Sequence, residues 1–264
     1  MSETGSFAGH TAVITGGAGG IGRAVCAGFG AQGASVAIVD TAHDMVQETV
    51  EEVRSVAGSP GGQQVAGYTV DVRDEAAVQA LMQQVHDDLG GPHMLVTLAG
   101  GSLGTPKDLP EIEPDDVDLV VDVNVKGTFY CCQAAVPFMT EAGGGAVVVI
   151  SSIGGRQPSP VTGVPYATSK AAVAGLTRRL ASEVGHQGVR VNAVAPGLFL
   201  TGRLQQMYDA MPDTERQAVL EAIPLDRFPD VRELVDPILF LSSEQASYIT
   251  GVVLDVNGGR FMPL

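Results

Sequence analysis

HTAVITGGAGGIGRAVCAGFGAQGASVAIVD, His10 to Asp40, reads as a strand, a glycine turn, a helix and a second strand. Ala12, Val13 and Ile14 form a short apolar run. Gly16, Gly17, Gly19, Gly20 and Gly22 then clear away side chains that would hold a ligand off the backbone. A helix starting near Gly20 aims its unpaired N–H groups and the positive end of its dipole at whatever lies over the turn, which suits a phosphate. The spacing is T-G-x-x-x-G-x-G, on Thr15, Gly16, Gly20 and Gly22, a looser relative of the G-x-G-x-x-G dinucleotide fingerprint.

Asp40 closes the second apolar run, 36–39, where the first crossover of a dinucleotide fold delivers an acidic residue to the adenosine ribose. A carboxylate there accepts from both ribose hydroxyls and repels a 2'-phosphate. No Lys or Arg occupies the glycine turn, Thr41 or Ala42, so NAD(H) is expected over NADP(H). The structural alternative is an Asp that caps the turn into a helix beginning near His43.

The 264 residues suffice for one large core, and strands alternate with helices to the end. A tail of 1–8 and a single domain of 9–264 are expected. The 15 basic and 30 acidic side chains give a net charge of -15, which argues against nucleic acid and anionic membrane as partners. Cys26, Cys131 and Cys132 show neither metal spacing nor a disulfide framework. No basic, apolar signal precedes Phe7 and no run is long enough to span a membrane, so a reducing cytoplasm is the expected location.

Further along, valines at 46, 50, 53 and 56 form a helical stripe over 44–57, and a strand at 64–70 leads into Asp71-Val72. Asp71, at a strand's carboxyl end, is placed to accept the adenine amino group; alternatively it or Asp74 caps the helix running to Leu89. A strand at 93–98 empties into Ala99-Gly100-Gly101. A helix over about 115–140 carries Asn124 among Val121, Val125 and Phe129, and a buried amide needs a partner, for which a held water is one candidate. The strand 146–150 delivers Ser151 and Ser152. Tyr166 and Lys170 share one face of the next helix, aimed at the end of that strand. A phenol, ordinarily a poor acid at neutral pH, becomes a usable general acid and base when a fixed ammonium favours its phenolate. Ser152 can hold the substrate oxygen. A strand at 189–194 ends at Ala195-Pro196-Gly197; 198–229 is irregular and reads as a substrate lid. A helix at 231–242 and a strand at 252–256 finish the chain. The apolar lid residues Leu198, Phe199, Leu200, Leu204, Met207, Tyr208, Met211 and Ile223 suit a lipophilic or cyclic alcohol, or else pack the lid onto the body. The expected fold is α/β: one Rossmann-like, doubly wound domain with a mostly parallel sheet of about seven strands.

Nearly end to end, the chain resembles the short-chain dehydrogenases/reductases. The resemblance rests on Thr15-Gly-Gly-Ala-Gly-Gly-Ile-Gly22, Asp71-Val72, Ala99-Gly100, Asn124, Ser152, Tyr166-x-x-x-Lys170, Asn192, Pro196-Gly197, Thr201 and Gly258-Gly259. It implies Tyr166 as catalytic acid/base, Ser152 as holder of the substrate oxygen, Lys170 on the nicotinamide ribose, and Asn124 fixing a proton-relaying water. It also implies backbone contacts to cofactor from Ile21, Val72 and Phe199, a carboxamide seat from Pro196 to Thr201, and a homotetramer. Small residues on the helix after Tyr166, among them Ala171, Ala174 and Gly175, leave room for a partner subunit. The family's Asn-Asn-Ala-Gly stands here as Thr97-Leu98-Ala99-Gly100, so a structural amide is missing. The 14 positions from Ser152 to Tyr166 are one more than the family pattern, a bulge assigned to Pro158, Pro160 and Pro165, with Ser151 the second candidate for the serine role.

The implied activity is reversible, NAD-dependent oxidation of a small-molecule secondary alcohol to a ketone. Two rivals stand beside it: an NADPH-dependent 3-oxoacyl carrier-protein reductase, and a nucleotide-binding regulator without turnover.

Overall fold

The computed structural model describes residues 7–56, 63–159 and 161–263, leaving out the side chains of Arg203, Leu204 and Met207. Ala57, Pro160 and most of the proposed tail lie outside the described residues. β1 (Thr11–Thr15), β2 (Ser35–Asp40), β3 (Val65–Thr69), β4 (Met94–Thr97), β5 (Gly145–Ile150), β6 (Val189–Pro196) and β7 (Val253–Val256) form one sheet in the order β3-β2-β1-β4-β5-β6-β7. Every pairing is parallel, so the expected "mostly parallel" sheet is parallel throughout.

Both faces are covered, which is why the strands read as unbroken apolar runs. Successive residues point to opposite faces. Ile14 packs with Phe29, Ile38, Leu234 and Ile238 on the face of α1 (Gly20–Ala31), α2 (His43–Val56) and a late helix, while its neighbour Val13 packs with Met82, Leu95, Met139 and Val191 on the other. Phe7 is buried against Phe29, with ring centroids 5.1 Å apart, so the folded core reaches into the segment expected to be a tail.

Asp74, not Asp71, caps α3 (Glu75–Leu89): its carboxylate accepts from the Ala77 N–H at 3.0 Å. Gly90, at φ +73°, ends that helix in the left-handed region. The long helix expected over 115–140 is two helices, α4 (Pro114–Val121) and α5 (Thr128–Glu141), joined by a π-helical turn, Asp122–Gly127, that contains Asn124. α6 (Val164–Val184) follows β5. The lid is not irregular: it holds α7 (Arg203–Asp209) and α8 (Asp213–Glu221), after which α9 (Arg232–Ser242) returns to the sheet. No helix among the described residues is long and apolar enough to cross a membrane. The C-terminal segment docks on its own chain, where the Arg156 guanidinium lies 5.0 Å over the Phe261 ring and Asn257 bonds the Phe261 backbone.

Candidate active site

The strand order reverses between β1 and β4, and a crevice at the carboxyl ends of such strands is where ligands bind in this architecture. A cavity of about 630 Å³ lies there, within the roughly 300–1,000 Å³ range of small-molecule and cofactor sites.

Its floor is the glycine turn. Gly16 adopts φ +69°, and a Cβ there would come within 2.7 Å of the Ala99 nitrogen; one on Gly22 would overlap the Gly16 carbonyl. Gly19 leads into α1 with no side-chain cap, so the helix's first N–H groups face the cavity without a protein side chain to satisfy them. Gly20 faces Thr201, whose Cβ lies 3.6 Å from where a side chain on Gly20 would begin. Such a cradle fits an anionic, flat ligand.

Asp40 lines the cavity and braces the turn, accepting from the Ala18 N–H at 3.2 Å and the Thr41 N–H at 2.8 Å. Asp71 and Val72 also line it. Asp71 is gripped by Arg73 through Nε and Nη2, the latter at 2.6 Å, a contact that holds its carboxyl below the ordinary range. Arg23, below the turn, donates to the Ala18 carbonyl and pairs with Glu48 and Glu52. The cations nearest the adenosine end are therefore neutralised by acids of this chain.

Ile21, Ala99, Gly100, Pro196, Phe199 and Thr201 line the cavity too. Leu98, at the position of the missing amide, packs on the core, and its N–H still joins β4 to β1 through the Thr15 carbonyl at 3.0 Å. Asn124 stands behind the wall. Its amide clasps Gly101, accepting from the N–H at 2.8 Å and donating to the carbonyl at 2.9 Å, while the Thr128 hydroxyl takes its backbone carbonyl. The buried amide thus finds its partner in protein backbone.

Ser152, Tyr166 and Lys170 meet at the other end of the cavity. Ser151, the second candidate, also lines the cavity, but it is buried and its hydroxyl donates to the Lys170 carbonyl at 2.8 Å. Ser152 Oγ accepts from the Gly154 N–H at 3.0 Å and bonds Tyr166. Lys170 Nζ lies 5.9 Å from the Tyr166 ring centre and donates to the Ile150 carbonyl at 2.8 Å. Burial lowers the Lys170 ammonium to about 8. Burial also raises the Tyr166 phenol, and the Ser152 hydrogen bond opposes that rise. The Ser152 hydrogen bond thus favours the phenolate against the cost of burial.

Several wall residues have no clear sequence signal. Leu119 and Val123 line the cavity from α4 and the π turn, at a spacing indistinguishable from core. Of the lid's expected apolar lining, Phe199 reaches the cavity, but Tyr208 meets Phe228 edge-on and Ile223 is buried against Gly258. Arg156 is held by Asp255 at 3.2 Å.

Comparison with known proteins agrees with this geometry. Residues 16–260 match the family model described as Enoyl-(Acyl carrier protein) reductase. A 3alpha-hydroxysteroid dehydrogenase of Mediterraneibacter gnavus is 36% identical over 247 residues, covering 94% of this chain and 95% of that protein. A 3-oxoacyl-(acyl-carrier-protein) reductase of Thermotoga maritima is 36% identical over 251 residues, with 95% and 97% covered. The structure of a short-chain type dehydrogenase/reductase from Mycobacterium ulcerans superposes with a TM-score of 0.89 at 32% identity, over 97% of this chain and 90% of that one.

Proposed function

The chain belongs to the short-chain dehydrogenase/reductase family, and from that premise we propose that it interconverts a secondary alcohol and a ketone with NAD(H). The observation that carries the reading is the meeting of Ser152, Tyr166 and Lys170 in one cavity with an uncapped helix N-terminus and glycine turn. Bound there, NAD would accept or return the hydride at the carbinol carbon. Gly16, Gly20 and Ile21 would hold its phosphates; Asp40, Asp71 and Val72 its adenosine; Ala99, Gly100, Pro196, Phe199, Thr201 and Lys170 its nicotinamide half.

Tyr166 takes the alcohol's hydroxyl proton in oxidation and returns it in reduction, while Ser152 holds the same oxygen. Lys170 spends one of its three N–H donors on the Ile150 carbonyl, which fixes its stem and leaves two for the cofactor ribose. Asn124 supports the catalytic group by pinning Gly101 in the cavity wall, a partner other than the proton-relaying water that the resemblance assigns to it. Asp40, with Arg73 and Arg23 already paired to acids, favours NAD over NADP.

The hydroxysteroid relative acts, by its name, on a cyclic lipophilic alcohol, and an apolar wall from Leu103, Leu119 and Val123 supports that class here. The carrier-protein reductase relative keeps the rival activity in play. A homotetramer in a cytoplasmic setting completes the reading, and the free, buried Cys26, Cys131 and Cys132 are consistent with a reducing environment. The decisive assay is NADH formation from a panel of cyclic secondary alcohols, with NADP in parallel and light scattering on the same sample. Turnover with NAD and a tetrameric mass are expected. Turnover confined to NADPH with a 3-oxoacyl substrate would favour the reductase; tight NAD binding without turnover would favour the regulator.

A further inference from the structure

An unpaired hydroxyl lies behind the catalytic pair. Thr162 Oγ1 is shielded from solvent and has no hydrogen-bond partner among the described residues, a costly state for a buried donor. Gly154 fixes its surroundings. A Cβ built there would lie 3.4 Å from Thr162 Oγ1 and 3.5 Å from both Ser152 Oγ and the Tyr166 ring edge. The orphan hydroxyl therefore borders the same small space as the two groups assigned to the chemistry.

A serine hydroxyl has one proton and two lone pairs. On Ser152 the Gly154 N–H takes one lone pair at 3.0 Å, and the proton serves the Tyr166 oxygen when that oxygen is ionised. One lone pair remains. We propose that a turn of its side chain brings the Thr162 hydroxyl onto that lone pair, so that it is a positioning residue that polarises the Ser152 hydroxyl toward Tyr166. Donation into Ser152 strengthens the bond Ser152 makes outward, as in any hydrogen-bonded chain. The inference rests on the reading of Tyr166 as the acid/base.

The other groups around Tyr166 are accounted for. Lys170, on the same helix, is the charge that faces it. On the π turn packed against α6, Asp122 and Lys126 pair at 2.7 Å. On α4, Asp116 serves the helix cap and Asp115 and Asp118 are exposed. Arg156, closing the turn after Ser152, is held by Asp255, and Arg190 on β6 by the carbonyls that end α9.

The test is a pH titration of tyrosinate absorbance in the cofactor-free chain, with Tyr166→Phe identifying the Tyr166 band among five tyrosines. Thr162→Val should move that ionisation upward by roughly 0.5–1 pH unit, and Thr162→Ser should restore it. The acidic limb of kcat/KM for alcohol oxidation, where the base becomes protonated, should move upward with it, while NAD affinity stays constant. Thr162→Ala gives the same comparison if the valine variant does not fold. An unmoved Tyr166 ionisation in both variants overturns the proposal, whatever happens to KM. Full activity in Tyr166→Phe would instead overturn the acid/base reading, and the titration would still judge Thr162.

Discussion

The sheet carries a cavity at each end, about 630 Å³ at the carboxyl ends of the strands and about 720 Å³ at the amino ends. The larger one is lined by His10, His93, Arg190 and Glu244, side chains that would attract notice in any list of functional groups. Two of them are already engaged by the backbone. Arg190 donates to the Leu241, Ser242 and Ser243 carbonyls, closing the C-terminus of α9. His93 Nδ1 accepts from the Thr11 N–H at 3.0 Å, and the Thr11 hydroxyl donates to the Leu89 carbonyl. At the smaller cavity α1 begins without a side-chain cap and Lys170 keeps donors in hand. Volume does not distinguish a site from a gap between elements. Unspent hydrogen-bonding capacity does.

The sharpest way to break this contrast is Tyr166→Phe. Losing acid/base catalysis worth about 10²–10⁴-fold raises the barrier by roughly 3–5 kcal/mol. A fall of that size in kcat, with unchanged thermal unfolding, is expected from steady-state kinetics beside a melting curve; a variant with full activity refutes the assignment.

Lys170 gives the next effect, and its sign is fixed by burial. Its folded value of about 8 lies below its ordinary 10.5, so between those pH values the unfolded chain holds more proton than the folded one. Stability contributed by this group therefore rises with pH through that window, by up to about 3 kcal/mol, and below it the burial penalty is paid in full. Chemical denaturation of the cofactor-free protein at several pH values should show that rise. Lys170→Met should remove it and be the more stable protein at neutral pH, though catalytically crippled. A site that stores a destabilising charge is the mark of the carboxyl end.

Arg190→Ala probes the other end. Removing the guanidinium strands three carbonyls at the end of α9, which should lower stability by about 1–3 kcal/mol. Below the melting transition kcat/KM should match the parent. A selective loss of turnover would mean that the second cavity takes part in the reaction.

What could be read without coordinates, and what could not, divides along the same line. Gly16 and Gly22 are legible because few local demands require a missing Cβ. Tyr166 and Lys170 are legible because a helix puts residues four apart on one face. The partners of Asn124, Asp71 and Thr162 follow no period. Asn124 reaches Gly101 across 23 positions, and Asp71 is gripped by Arg73 only two residues on, a contact that competes with the adenine role given to it. The π turn that carries Asn124 is equally silent in the sequence, since Val121, Val125 and Phe129 keep helical spacing through it. Sequence period reports which face is buried; it does not report where a buried amide or hydroxyl finds its partner.

Asp40 carries the smallest effect and the finest form of the contrast, because it is both spent and available. Its carboxylate accepts from Ala18 and Thr41, so part of its role is to shape the turn, yet it remains on the cavity wall. Asp40→Asn keeps an acceptor oxygen and removes the charge. If the charge sets cofactor choice, the preference for NAD over NADP should fall by about tenfold, near 1.4 kcal/mol, mostly through a lower KM for NADP. Asp40→Ala removes the brace as well and should weaken both cofactors together. Equal loss for NAD and NADP in the asparagine variant would mean that Asp40 holds the turn and that selectivity lies elsewhere, with Arg73 and its tie to Asp71 the next group to change.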